Sequence, residues 1–485
     1  MEPRSPSGTV PRILLTMVLF PFIAYGQPPT MHQQVVQLVD HHAARFFAIS
    51  RSIWEYAELG FHETKSSALL QREFKEAGFQ VQAPVADEPT AFLATYGQGA
   101  PVIAILGEFD ALPGLSQSAT PERHPVAEGA PGHGCGHNLL GSGTALAAVA
   151  LKEYMEKNHV AGTLRYYGTP AEEGGDGKVY MIAAGLFRDV DVVLHWHPDN
   201  RNAVFNGGML AINGARFRFH GVAAHAAFAP ERGRSALDAV MLMGNGVEFL
   251  REHVPSDTRI HYIITNGGAA PNVVPDIAEL QIIARSPSSV ALSDVWKRIR
   301  KIGDGAALMT ETTLEVKGLS GTANVLPNDA LAKVAQRNLE EVGGLRYTAE
   351  ERRFAQELQK SLNAPDVPAL DSTASIQPLQ ANRTAASTDA GDVSWNVPTI
   401  GFFSATFAPG VVPHSWQATA CAGMSIGQKG MLVAARALAI TAADLFADRR
   451  MVADAKADFE RQLQGKAYRS VIPAGQKPPL DYRGK

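Results

Sequence analysis

The chain has 485 residues, 45% of them hydrophobic and 19% charged, with a formal net charge of −4. That length exceeds one compact core and implies about two or three domains. The small net charge and the lack of a dense Lys/Arg tract leave nucleic-acid binding without electrostatic support. No stretch reads as the ~20 apolar residues of a stable membrane span.

Arg4 and Arg12 precede the apolar run Ile13–Ala24, and Ala24-Tyr25-Gly26 sets small residues two apart. This is the layout of a signal peptide, residues 1–26, with cleavage before Gln27 and an exported (periplasmic or secreted) product; an uncleaved anchor is the alternative. An exported chain with only Cys135 and Cys421 invites a disulfide. A thiolate on a metal would occupy Cys135, and Cys421 in ATACAGMS reads as a buried apolar-like residue.

From residue 27 the first domain begins. Met31–Gly78 carries helix-spaced apolar residues (Val35, Leu38, Val39, Ala43, Phe46) and an aromatic-acidic break at Trp54–Glu63. Four apolar runs follow, each leading into a loop with polar chemistry. Val102–Leu106 leads to Glu108 and Asp110, Thr163–Tyr167 to Glu172 and Glu173, Val190–Leu194 to His195 and His197, and Thr399–Phe403 to His414. Helical segments between them, notably Ser142–Lys157, predict an α/β fold with a mostly parallel, doubly wound sheet. Ligands of such sheets sit beyond the carboxyl ends of the strands, where these residues collect.

Residues 208–325 have a different rhythm. Alternating segments at Arg216–His220 and Thr313–Lys317 bracket helices and strands in the order β-α-β-β-α-β, predicting an inserted ferredoxin-like α+β domain. The first domain, whose first part is 27–207, resumes over 326–450. The tail, 451–485, is polar and is expected to be peripheral.

Cys135 and His137 lie two apart between glycines in GHGCGHNLLGSGT, a pairing of sulfur and nitrogen that suits a divalent transition metal. A glycine-rich turn with a buried Cys is the simpler alternative. Adjacent acids on an extended loop point different ways, so one of Glu172 and Glu173 can ligate while the other works as a base. Two solvated acids would look the same. Residue spacing does not choose between His195 and His197.

Six stretches together resemble the aminoacylase/carboxypeptidase family of two-metal peptidases, in its amidohydrolase branch. They are GCGHN (134–138), PAEEGG (170–175), VDVVLHWHP (190–198), GVAAHAA (221–227), NVVPD (272–276) and PHS (413–415). Asn138 and Glu108, where the branch usually has Asp, together with TDAGDVSW at 388–395, are most similar to the p-aminobenzoyl-glutamate hydrolase group within that branch. The resemblance implies two divalent ions per subunit (Zn²⁺ or Mn²⁺, with Co²⁺ possible) held by Cys135, His137, Glu173, His197 and His414, with His195 in reserve. It implies Glu172 as acid/base, His225 steadying the oxyanion in a partner's site, and Asn272 and Arg285 holding a substrate carboxylate. The implied substrate is a small N-acyl or N-aroyl amino acid; the resemblance makes 208–325 a lid/dimerisation domain, and the implied assembly is a homodimer through it or a pairing with a homologous subunit. A dipeptidase or deacetylase, a non-catalytic metal-loaded binding protein and a Cys-His thiol hydrolase are the competing readings.

Overall fold

A computed structural model describes residues 1–4, 8, 29–364, 366–379, 381, 384–473 and 475–483. The leader read at 1–26 falls almost wholly outside them. Helix α1 (Met31–Tyr56) opens with a capping box between Thr30 and Gln33, and Val35, Val39, Phe46, Ile49 and Ile53 form its buried stripe. There follow α2 (Thr64–Glu76), β1 (Gln80–Gln82), β2 (Phe92–Gln98), β3 (Val102–Glu108), α3 (His137–Lys157), β4 (Gly162–Thr169), α4 (Gly177–Ala183), β5 (Val192–Asp199) and β6 (Ala203–Phe205). The inserted unit carries β7 (Ala211–His220), α5 (Ala236–Arg251), β8 (Arg259–Asn266), β9 (Ile277–Ser286), α6 (Ser289–Thr310) and β10 (Thr313–Thr322). The chain then returns through α7 (Asp329–Val342), α8 (Ala349–Gln359), α9 (Ala390–Ser394), β11 (Thr399–Ala405), α10 (Trp416–Ala422), α11 (Ser425–Ala447) and α12 (Arg449–Leu463).

The large sheet runs β1-β2-β4-β3-β5-β11-β6. Its centre, β4-β3-β5-β11, is parallel, while β1, β2 and β6 join antiparallel at the edges. Strand β3 is buried throughout, as a strand covered on both faces must be. Ile103 and Ile105 enter the core shared with α1, α3 and α11; Val102, Ala104 and Leu106 enter a second core under α4 and α9. The fold is thus α/β with helices on both faces, plus a lid domain. Helix α11 is long and apolar enough to cross a membrane by length and composition, but most of it is buried as the core helix.

The lid sheet runs β10-β7-β9-β8, all antiparallel, which is the ferredoxin-like order. Phe217, Phe219, Leu280 and Ile282 face α5 and α6. Arg216, Arg218, Gln281 and Arg285 alternate onto the opposite face.

Two expectations change. His195–His197 do not lie in a loop: β5 continues to Asp199 because it pairs in parallel with β11 as far as Ala405. The tail is also not peripheral. Helix α12 is tied to the start of α7, with Asp458 accepting the Ala330 N–H and Asn328 donating to the Ala455 carbonyl. Phe459 and Tyr468 pack with Trp395 and Leu326.

Candidate metal centre

The carboxyl ends of β3, β4, β5 and β11 deliver the polar residues to one place. Helix α3 crosses close to the end of β3 because Gly141 has no Cβ; one placed there would meet the Glu108 carbonyl at 2.5 Å. That approach sets His137, the first residue of α3, against Glu108 and Asp110. Gly136, with φ of 76°, makes the turn that separates Cys135 from the helix.

Three groups of donor atoms converge, each within 4.8 Å: Cys135, His137 and His197; Cys135, Glu173 and His414; and Glu108, His137 and Glu172. The first two share the Cys135 sulfur, and the third shares His137. His137 Nδ1 pairs with Asp110 Oδ1 at 2.8 Å, and His197 Nδ1 with the Pro198 carbonyl at 2.7 Å. Each pairing leaves Nε2 for the centre. His197 Nε2 lies 3.4 Å from the Cys135 sulfur, and His414 Nε2 lies 3.2 Å from Glu173 Oε1. Asp110 also braces the far side, its Oδ2 accepting the Glu173 N–H at 2.9 Å.

His195 lies on the same face of β5 as His197, one step further from the strand's end. Its ring fills the space over Gly401, and burial drives its pKa down to about 4. It belongs to none of the three donor groups.

The donors fit divalent cations. His137 Nε2, Glu108 Oε2 and Glu173 Oε1 are buried without a hydrogen-bond partner, a costly state that a coordinated cation relieves. Negative charge is also in excess. Burial, then the neighbouring Glu108, Glu173 and Asp389, push the Glu172 carboxyl well above its ordinary range.

Comparison with known proteins agrees with this geometry. Residues 104–417 match the model of Peptidase family M20/M25/M40. The chain belongs to that family. A p-aminobenzoyl-glutamate hydrolase subunit of Escherichia coli (strain K12) is 41% identical over 460 residues, 90% of this chain and 96% of that protein. A Xaa-Arg dipeptidase of Mus musculus is 31% identical over 450 residues, 90% of this chain and 93% of that one. A dinuclear metal binding peptidase from the M20 family of Bacillus subtilis shares the fold, with a TM-score of 0.54, 18% identity, and 83% and 99% of the two chains covered. The family and enzyme class expected from the motifs are those found.

For an M20 chain, two departures have physical roles. Asn138 turns away from the donors: its Nδ2 lies 3.2–3.3 Å from the Ser50 and Ala422 carbonyls, tying α3 to α1 and α10. Two carbonyl acceptors call for a donor, which Asp lacks when ionised. Glu108, acidic in either form, reaches His137 with Oε2 (3.3 Å) and Lys178 with Oε1 (2.7 Å). Lys178 is fully buried and also meets Asp389 at 2.6 Å.

Lys178 carries no signal in the sequence, whereas Asp389 lies in the TDAGDVSW stretch and Glu63 ends the aromatic-acidic break, neither of them assigned a role from sequence. Glu63 is buried, accepts from Ala171 N–H and Thr90, and so holds the root of the Glu172–Glu173 loop. Glu108 and Asp110 are visible as acids at a strand end. Both cysteines are free and buried, in line with the reading against a disulfide.

The lid residues stand apart from the donors within this chain. His225 is exposed and its Nδ1 accepts the Ala227 and Phe228 N–H groups. Asn272 is exposed beside it through the bridge between His225 and Val273. Arg285 is directed to the Ala385 carbonyl and Ser387 hydroxyl, at 3.4 and 3.5 Å.

Proposed function

We propose that this chain is a two-metal amidohydrolase that cleaves N-acyl or N-aroyl amino acids, p-aminobenzoyl-glutamate first among them, and releases the free amino acid. The observation that carries the reading is the pair of donor groups sharing Cys135 with Glu172 beside them. His137, His197 and Cys135 would hold one ion; Cys135, Glu173 and His414 the other. One thiolate, three imidazoles and a carboxylate suit Zn²⁺, Mn²⁺ or Co²⁺. Bound there, the ions would polarise the amide carbonyl and acidify the attacking water.

Glu172 takes the proton of that water and returns it to the leaving amine. Asp110 keeps His137 and the Glu173 peptide in place for both steps. His225 supplies a donor to the developing oxyanion from a second subunit, and Asn272 and Arg285 receive the substrate's carboxylate. A dimer through the lid suits an edge strand, β8, that exposes Ile263 and Ile264, and a helix α5 that exposes Met241 and Phe249. The Escherichia coli relative is named as one subunit of its hydrolase, which makes a homologous partner subunit the alternative assembly. Export through the leader at 1–26 is part of the same proposal.

A dipeptidase on the same scaffold is the second reading, favoured by the Mus musculus relative. One experiment separates them. Bound metal is measured, and turnover is followed on p-aminobenzoyl-glutamate, hippurate, acetyl-amino acids and Xaa-Arg dipeptides. Preference for aroyl-glutamate supports the proposal; preference for dipeptides with a free amino terminus supports the second reading; metal-loaded protein inert on every substrate overturns both.

A further inference from the structure

Beyond α12 the chain touches three places in turn. Tyr468 donates its hydroxyl to Asp392 Oδ1 (2.8 Å), whose other oxygen accepts the Ala323 N–H (2.8 Å) where the lid returns to the catalytic domain. Val471 then lies over Gly321, where an added Cβ would meet it at 2.8 Å. Last, Tyr482 stacks edge-on against Phe61, with ring centres 5.9 Å apart. There the Arg483 guanidinium donates to the Glu173 carbonyl, with the Tyr482 hydroxyl 3.5 Å from the same oxygen. Arg483 Nε also donates to the Tyr482 oxygen at 3.2 Å.

The target of these contacts is the carbonyl of the Glu173–Gly174 peptide. Glu173 is followed by Gly174, with φ of 106°, and Gly175, and their N–H groups close turns onto the Glu172 and Ala171 carbonyls at 2.7 and 2.9 Å, so the loop holds the N–H side of the Glu173–Gly174 peptide and the chain's end meets its carbonyl. Ala171 and Phe61 occupy the left-handed region as well, with φ of 56° and 63°. Such conformations persist where the surroundings over-determine them. Asp110 fixes the N–H of Glu173, and Glu63 fixes that of Ala171. The carbonyl end of Glu173 is fixed by Arg483 and Tyr482.

We propose that Gly475–Arg483 is a strap that sets the Glu172–Glu173 loop, with Tyr482 and Arg483 as positioning residues for the reaction. The strap leans on the catalytic domain: a cavity of about 590 Å³ separates Pro478–Arg483 from Arg216 and Lys317–Leu319 of the lid. The proposal rests on the roles given above to Glu172 and Glu173.

The test uses the full chain and its Arg483→Ala, Arg483→Lys and Tyr482→Phe variants. Hydrogen exchange of residues 171–177 is read alongside kcat, KM and melting temperature. For Arg483→Ala, loop exchange should rise at least ~10-fold and kcat should fall ~10- to 100-fold, while KM moves less than ~3-fold. Arg483→Lys should recover part of both, and the melting temperature should stay near that of the parent. Unchanged loop exchange in Arg483→Ala would overturn the strap, and so would a kcat within ~2-fold of the parent. The exchange measurement needs no substrate, so it decides the strap even if p-aminobenzoyl-glutamate proves not to be cleaved.

Discussion

The two halves of the proposed site are built differently. On the catalytic side the donor atoms converge at the ends of parallel strands, buried, each imidazole of the first donor group turned by a second hydrogen bond. On the lid side His225 and Asn272 sit exposed on a loop, held to each other by backbone contacts, and Arg285 reaches toward residues 385–387. A parallel sheet fixes its strand ends rigidly, so a metal centre there can form within one chain. A separate sheet joined through short connections presents its loops to whatever body docks against it. Cross-bracing distinguishes the half that gathers the donor atoms, and exposure the half that carries His225 and Asn272.

The sharpest way to break this comparison is to empty the braced half. Glu172→Gln should lower kcat ~10²- to 10⁴-fold and leave metal content unchanged, because the base is removed and the donors are kept. Cys135→Ala should lose activity and metal together, since one sulfur serves both donor groups. Metal analysis beside turnover checks both. Full metal occupancy in the Cys135 variant would show that the two groups do not share that ligand.

The exposed half should behave as a donated one. His225→Ala should cost ~10²- to 10³-fold in kcat without altering metal content. Mixing it with Glu172→Gln protein, after reversible dissociation, should restore about a quarter of the parent activity, because half of the dimers then carry one complete site. No recovery would place the action of His225 within its own subunit.

The residues themselves explain how far each half can be read from sequence. The runs before Glu108, Glu172 and His414 are strands apolar enough to declare themselves, and the acids and imidazoles after them mark the ligand edge. Strand β2 gives no such signal because Phe92–Gln98 mixes small and polar residues, and β1 none because three residues hold no period. The end of β5 differs from the sequence expectation because a strand boundary depends on its neighbour's length, which only pairing with β11 supplies. Burial of Lys178, Asp389 and Glu63 arises from contacts across the fold, over 211 residues for Lys178 and Asp389. Arg483 meets Glu173 across 310 residues, and no local pattern announces that.

Lys178 tests whether the bracing behind the metal side is structural. It is the cation between Glu108 and Asp389. Lys178→Met keeps the length and removes the charge, leaving two buried carboxylates facing each other, and should destabilise the fold by about 3–5 kcal/mol. Urea unfolding of parent and variant at pH 7 measures it. A loss below ~1 kcal/mol would mean that water or metal already balances those carboxylates.

The smallest effect lies at the junction of the two halves, at Asp392, whose oxygens receive Ala323 N–H and the Tyr468 hydroxyl. Burial pushes its carboxyl up to about 8, while an unfolded Asp titrates near ~3.9. Between those values the folded chain keeps a proton that the unfolded chain releases. Stability from this group is therefore full below pH ~4 and declines as pH rises to about 8, where the loss levels off. Asp176, raised to about 7, and Glu63, raised to about 8, act in the same direction. Asn at 392 can accept from Ala323 with its oxygen and donate to Tyr468 with its nitrogen, and it carries no titrating proton. Asp392→Asn should thus match the parent only near pH ~4 and exceed it increasingly as pH rises, by roughly 1–3 kcal/mol or more at pH 8–9. Melting curves across that range decide it. Parallel curves for the two proteins would mean that Asp392 is ionised in the folded chain and that the junction between domains carries a buried charge.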